Sequence, residues 1–505
     1  MCAVTRRAAA AVLAVAMVTG CSTVVDGDAT RGAPDLDTGI VWFDCGADFL
    51  GALTPPPGAR CGELGVPVDY DDADGARASV AVIKIPATGD RIGSLVINPG
   101  GPGGSGVQAA VQQQPGYPAQ IRERFDVVGF DPRGVGQSRP ALWCNSDADT
   151  DRQRAEPAVD YTPAGIERID ADTKAYVQRC LDKTGAEFLA NVDSGTVAHD
   201  IDRLRAALGD EKLTYLGYSY GTVLGAAYAF AYPEHVRALV LDAVLDVNAD
   251  PVDSDLRQAA AFQRAFDTFA ADCAQRPDCP LGTDPAKAVE VYRQLVDPLV
   301  TRPAATADPR GLSYNDAISG TLQSLYTPRY WKYLDDGLRQ LRGGAGDNLL
   351  AMADLTMGRD AHGHYDNSVD NRIAVRCVDL PRVTDPAVAA DADRRMREVA
   401  PFLSYGRFTG HAPLGVCAFW PVPRAEPPPV VGAPTLPSTL VVSSTDDPVT
   451  PYQAGVDLAG KLRARVLTVA ATAHTAVFQA DACVDDAVTR YLVELQLPAE
   501  GARCR

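Results

Sequence analysis

The chain has 505 residues, 46% of them hydrophobic and 22% charged, which is enough apolar material for a large buried core and unlike a disordered or fibrous protein. Forty-seven basic against 65 acidic residues give a formal charge of -18, which argues against a nucleic-acid or anionic-lipid surface as partner. Twelve cysteines, with no CxxC pair and no Cys/His cluster at zinc spacing, point to disulfides and an oxidising compartment. The length allows two or three domains, or one large α/β domain with an insertion.

At the start, Arg6 and Arg7 precede an apolar run from Ala8 to Val18. The run is too short to span a bilayer as a helix and reads as a secretory signal over residues 1–20. Val18-Thr19-Gly20-Cys21 is similar to a bacterial lipobox, so Cys21 is expected to be lipidated and to become the new N-terminus. Ordinary signal cleavage, with Cys21 incidental, is the alternative. Acyl chains worth about 0.8 kcal/mol per buried CH₂ would hold the protein on the outer surface of the cell membrane, with residues 21–39 as a tether. Cys45, Cys61, Cys144, Cys180, Cys273, Cys279, Cys377, Cys417, Cys483 and Cys504 remain, and pairing between sequence neighbours closes the shortest loops.

Short β-branched runs at 79–86, 94–98, 125–130, 213–217, 236–242, 440–443 and 465–469 alternate with helical patterns. Such alternation predicts βαβ units and a mostly parallel sheet. Val197, Ile201, Leu204 and Leu208 recur at helical steps and lead into the 213 strand. From about residue 248 to 437 the alternation gives way to helical patterns at 256–273, 286–299 and 330–341, which read as an inserted helical cap. Pro421, Pro423, Pro434, Pro437 and the prolines at 427–429 mark the return to the core. The expected organisation is therefore core over 40–247, cap over 248–437 and core again over 438–505.

Gly217-Tyr218-Ser219-Tyr220-Gly221 matches G-x-S-x-G between a strand and a helical pattern. The context matters more than the match, because a glycine-flanked turn there holds the serine oxygen above the sheet edge. Serine becomes a nucleophile when a histidine takes its proton and a carboxylate orients that histidine. His199 and His235 lie too close to Ser219 to leave room for an acid strand, and His362, His364 and His411 fall in the proposed cap; His474, just after the 465–469 strand, remains. Asp446 and Asp447 end the preceding strand, and Asp447, directly before Pro448-Val449-Thr450-Pro451, is preferred. Asp242 and Asp246, after the 236–242 strand, are a second location for the acid. The loop Asn98-Pro99-Gly100-Gly101-Pro102-Gly103-Gly104-Ser105-Gly106 lacks the Lys-Ser/Thr of a phosphate-binding loop. It fits an oxyanion element instead, with the Gly101 N–H and the N–H of Tyr220 as donors.

Taken together, residues 98–106, Gly129-Phe130-Asp131-Pro132-Arg133-Gly134-Val135-Gly136-Gln137-Ser138, residues 217–222, residues 447–451 and His474 carry a resemblance. The chain resembles the secreted tripeptidyl aminopeptidase branch of the proline-iminopeptidase-like α/β-hydrolases, which includes lipoprotein serine hydrolases of actinobacterial envelopes. The resemblance implies the α/β-hydrolase fold and a Ser219, Asp447 and His474 triad. It implies an oxyanion loop at 98–106, and a structural role beneath the site for residues 131–138. It also implies hydrolysis of peptides from a free N-terminus through an acyl-enzyme, with cap carboxylates binding the substrate ammonium. The family often flanks its histidine with glycines, whereas Ala473 and Thr475 stand here, which makes the loop less permissive in φ.

No metal or cofactor is expected, and His362 and His364 read as solvated loop residues. Tyr330, Trp331, Phe419 and Trp420 read as cap core rather than substrate lining. A carboxylesterase would share every catalytic residue, and a silent envelope binding protein would retain the fold without the chemistry.

Overall fold

The apolar runs become the strands of one ten-stranded sheet in the order β1-β2-β3-β5-β4-β6-β7-β8-β9-β10. The computed structural model describes residues 39–72, 74–246, 250–426 and 435–505. The leader, Cys21, most of the tether, Asn248, the prolines at 427–429 and Pro434 lie outside the described residues.

Seven strands fall where the sequence pattern puts them: β3 (Arg77–Ile85), β4 (Gly93–Asn98), β5 (Phe125–Phe130), β6 (Leu213–Tyr218), β7 (Val236–Asp242), β8 (Leu440–Ser444) and β9 (Arg465–Val469). Three more were not expected: β1 (Ile40–Asp44), β2 (Arg60–Pro67) and the two-residue β10 (Arg503–Cys504). Pairing is antiparallel from β1 to β5 and parallel from β5 through β10. The parallel strands are rich in apolar residues along their length because helices cover both faces. Alternate side chains divide cleanly: Val80, Val96, Val128, Tyr215, Leu239 and Val441 join one core, while Ala81, Leu95, Val127, Leu216, Val240 and Val442 join the other.

The helices Ser194–Ala207 and Gly221–Ala231 pack on the first face through Val197, Ile201, Leu204, Val223 and Tyr228. Gly106–Gln113 and Ala482–Glu494 cover the second through Val107, Ala110, Val484, Val488 and Leu492.

Between β7 and β8 the described chain is predominantly helical and contains no strand of the sheet. The helices Pro251–Cys273, Ala288–Val296, Tyr314–Leu325, Trp331–Arg342 and Asp347–Met357 share a core of their own around Phe262, Phe266, Tyr292, Leu334, Leu349 and Phe402. Phe266 stacks on Phe402 with ring centroids 4.8 Å apart. Trp331 packs against this core, whereas Trp420 is buried in the core of the sheet. Among the described residues five disulfides join sequence neighbours as expected: 45–61, 144–180, 273–279, 377–417 and 483–504.

Candidate active site

β6 ends at Tyr218, and the next residue takes a left-handed turn: Ser219 has φ 53°. An L-residue other than glycine pays for that conformation, so it persists only where the surroundings enforce it. Here the Ser219 N–H donates to the Asp242 carbonyl (2.9 Å). The Ser219 carbonyl accepts from the Thr222 N–H (2.9 Å) and hydroxyl (2.6 Å) as the helix Gly221–Ala231 begins. The strand-turn-helix setting expected of G-x-S-x-G is present in full.

The 98–106 loop lies directly on this turn. Gly100 has φ 90°, and a Cβ there would sit 2.4 Å from the Tyr218 carbonyl and 3.0 Å from the Ser219 Cβ, so only glycine allows the approach. Among the described residues no protein acceptor takes the N–H of Gly101 or of Tyr220. Both remain available to a ligand beside Ser219. The far end of the loop is held by Asp131, which accepts from the Ser105 hydroxyl (2.6 Å), the Val107 N–H (3.0 Å) and the Gln137 N–H (2.8 Å). Arg133 is fully buried against Asp200 (2.7 Å) and also donates to the Pro67, Val68 and Asn191 carbonyls. The 131–138 segment thus braces the loop from below.

Asp447 is buried, 2% exposed, and its neighbour Asp446 is exposed. The Asp447 carboxylate accepts from the N–H groups of Val449 (2.8 Å) and Thr450 (2.9 Å) and from the Thr450 hydroxyl (2.9 Å). His474 Nδ1 lies 3.1 Å from both of its oxygens. A carboxylate so fixed orients the ring and leaves Nε2 as the nitrogen able to accept a proton. Opposite it, the Tyr326 ring stands edge-on to His474 with centroids 5.4 Å apart, and the Tyr326 carbonyl accepts the His474 N–H (2.8 Å). The loop does adopt left-handed backbone without glycine, at Thr475 (φ 70°) and Phe478 (φ 58°).

Asp242 is not the acid facing the imidazole. Its Oδ2 accepts from the N–H groups of Ala476 and Val477, both at 2.8 Å, while its carbonyl receives the Ser219 N–H. One residue therefore ties the serine turn to the histidine loop, and burial pushes its carboxyl up to about 6. The remaining histidines have other company: His199 meets the Tyr232 hydroxyl, His235 meets Asp202 (2.9 Å), and His364, 72% exposed, meets Asp147 (2.9 Å).

A cavity of about 350 Å³ opens at Ser219, Gly101 and Tyr220. Its other walls come from the residues just after β7 and from the helices Pro251–Cys273, Tyr314–Leu325 and Ser368–Asp379. Asp246, Asp255 and Asp379 supply carboxylates, and Arg372 and Arg376 supply cations. Burial pushes Asp379 up to about 7, although it accepts from the Ser194 N–H (2.9 Å) and hydroxyl (2.5 Å). That hydroxyl also meets the Tyr220 hydroxyl at 2.8 Å. None of Tyr330, Trp331, Phe419 and Trp420 lines this cavity. Sequence reading missed the wall made by Ser368–Asp379; Arg372, Val375, Arg376 and Asp379 recur at helical spacing there, which was the available signal. The one His/Cys/Asp/Glu group compact enough for a metal, among the described residues, is Asp481 with Cys483 and Cys504, whose sulfurs are joined to each other.

Residues 93–481 match the α/β-hydrolase fold family. The chain is 57% identical over 503 residues to the serine protease Hip1 of Mycobacterium tuberculosis, covering 98% of this chain and 96% of that protein. It is 48% identical to a Mycobacterium tuberculosis protein named carboxylesterase B, covering 94% and 92%. To the tripeptidyl aminopeptidase of Streptomyces lividans it is 31% identical, covering 95% and 89%.

Proposed function

We propose, for a chain that belongs to the α/β-hydrolase family and is a serine hydrolase, that it removes short peptides from a free N-terminus through an acyl-enzyme on Ser219. His474 takes the Ser219 proton as the hydroxyl attacks the carbonyl, and Asp447 fixes the imidazole and supports its charge. The Gly101 and Tyr220 N–H groups receive the developing oxyanion. His474 then protonates the leaving amine, and water repeats the sequence to release the acyl fragment.

The observation that carries the peptide reading is the pair of carboxylates, Asp246 and Asp255, on the wall of the cavity at Ser219. An ammonium group entering a partly desolvated site needs such a counter-charge. The test compares tripeptide anilides bearing free and acetyl-blocked N-termini with a short-chain nitrophenyl ester, using Ser219→Ala as control. Turnover confined to the free-amine peptide supports the aminopeptidase. Cleavage of the ester alone replaces it with an esterase, the reading that the relative named carboxylesterase B favours.

The same reading places the protein outside the cytoplasm, held by lipid on Cys21; five disulfides support the oxidising surroundings. Cys21→Ala should shift the protein from the membrane to the soluble fraction, and continued membrane retention would count against the anchor.

A further inference from the structure

The helix Ser368–Asp379 is held on three sides. At its start it is pressed against the oxyanion loop: a Cβ at Gly103 (φ 95°) would lie 2.3 Å from the Ser368 carbonyl. The side-chain amides of Asn367 and Asn371 donate to the Gly134 carbonyl at 2.8 and 3.1 Å. Asp370 accepts from the Tyr176 hydroxyl (2.8 Å) and the Cys144 N–H (2.7 Å), and Cys377 is bonded to Cys417. A helix fixed this way presents Arg372, Val375, Arg376 and Asp379, one face at i, i+3, i+4 and i+7, to the cavity beside Ser219.

The charges on that face are not equally engaged. Asp379 is occupied by Ser194. Arg376 donates to Asp255 at 3.0 Å, both on the cavity wall. Asp246 also has a partner. Asp366, whose field reaches Arg372, directs Oδ1 at the Ser368 N–H (2.9 Å) and hydroxyl (2.5 Å). Tyr326, whose field also reaches it, is the residue packed edge-on against His474. Among the described residues Arg372 makes no hydrogen bond or ion pair, although burial draws its pKa below the usual guanidinium value. A half-buried cation without a partner is costly, and the planar guanidinium fork matches a carboxylate through two parallel hydrogen bonds.

We propose that Arg372 is a specificity residue that binds a carboxylate carried by the substrate. The choice of peptides as substrates rests on the aminopeptidase reading; the role of Arg372 does not. The carboxylate has two possible sources, an acidic side chain of the released fragment or the C-terminal carboxylate of a short peptide. Either would lie within the cavity that opens at Ser219.

The experiment measures kcat/KM for matched pairs on the full protein, Arg372→Gln and Arg372→Lys. One set is tripeptide anilides with Glu or Gln at each position; a second is a tetrapeptide with free or amidated C-terminus. A third is the nitrophenyl ester of glutaric acid beside that of its monomethyl ester. Only the ratio within each pair is read, so losses common to both members cancel. The expected result is a preference of about tenfold or more for the carboxylate in at least one pair. It should collapse towards one in Arg372→Gln and recover in part in Arg372→Lys. The pair that responds identifies the source. Wild-type ratios near one in every pair overturn the proposal whatever the stability of the variants, as does a preference that survives Arg372→Gln. If the ester is cleaved and no peptide is, the aminopeptidase reading fails and the ester pair alone decides the role of Arg372.

Discussion

The carboxyl edge of the parallel sheet and the helices between β7 and β8 border the same cavity but are built on opposite plans. At the sheet edge, position is set by backbone: a left-handed serine, a glycine too close for any Cβ, and carboxylates gripped by neighbouring N–H groups. On the helices, position is set by side chains of both signs, such as Arg376 with Asp255, whose partners lie far apart in sequence. The first plan tolerates almost no change. The second allows the walls to vary while the chemistry stays in place.

The comparison breaks most sharply at the nucleophile. Ser219→Ala should lower turnover of any acyl substrate by at least about 10⁴-fold with the thermal midpoint little changed, because only the reacting oxygen is lost. Retained turnover would remove Ser219 from the mechanism. Asp447→Asn should cost about 10³- to 10⁴-fold in kcat, since the amide favours the wrong imidazole tautomer, as steady-state kinetics would read.

The wall predicts a different signature. Asp255→Asn should raise KM for free-amine peptides about tenfold while kcat moves less than about threefold; a fall in kcat alone would place Asp255 with the sheet edge instead.

Asp242 gives a pH test. Its carboxyl is pushed up to about 6 from an ordinary 3.8, so between these values the folded chain holds a proton that the unfolded chain has released. Its contribution to stability is therefore full below about pH 4 and is lost as pH rises through 6, by roughly 1–2 kcal/mol between pH 5 and pH 8. In denaturant melts, Asp242→Asn should gain on the wild type by about that amount over the same interval. The smallest effect belongs to exposed Asp446, where substitution by Asn should alter kcat/KM less than about twofold.

The two regions also differ in how much the sequence discloses. Strands buried on both faces, such as Phe125–Phe130 and Val236–Asp242, are predominantly apolar runs, and their limits are read almost to the residue. β2 was missed because Gly62, Gly65 and Pro67 interrupt its pattern, and β10 because two residues make none. Asp447 could be told from Asp446 by the Pro-Val-Thr-Pro that follows it, since that turn folds back onto the carboxylate. Asp242 was weighed as an acid, but its hold on Ala476 and Val477 spans 234 and 235 residues and leaves no local trace. The same holds for the wall. A charged helical face reads as solvated until the tertiary structure turns it towards a cavity, and the contact between Arg376 and Asp255 bridges 121 residues.

β7 and β8 are hydrogen-bonded neighbours, with Val240 opposite Leu440 and Asp242 opposite Val442. The chain therefore leaves the sheet and rejoins it about 4.8 Å away. Everything between behaves topologically as a cassette whose two ends already meet, and its length adds to closure entropy only logarithmically. Inheritance can lengthen, shorten or replace such a cassette without disturbing strand register. A graft of the corresponding stretch from a relative of different preference should carry that preference with it, which makes the pair of strands a natural splice point for redesign.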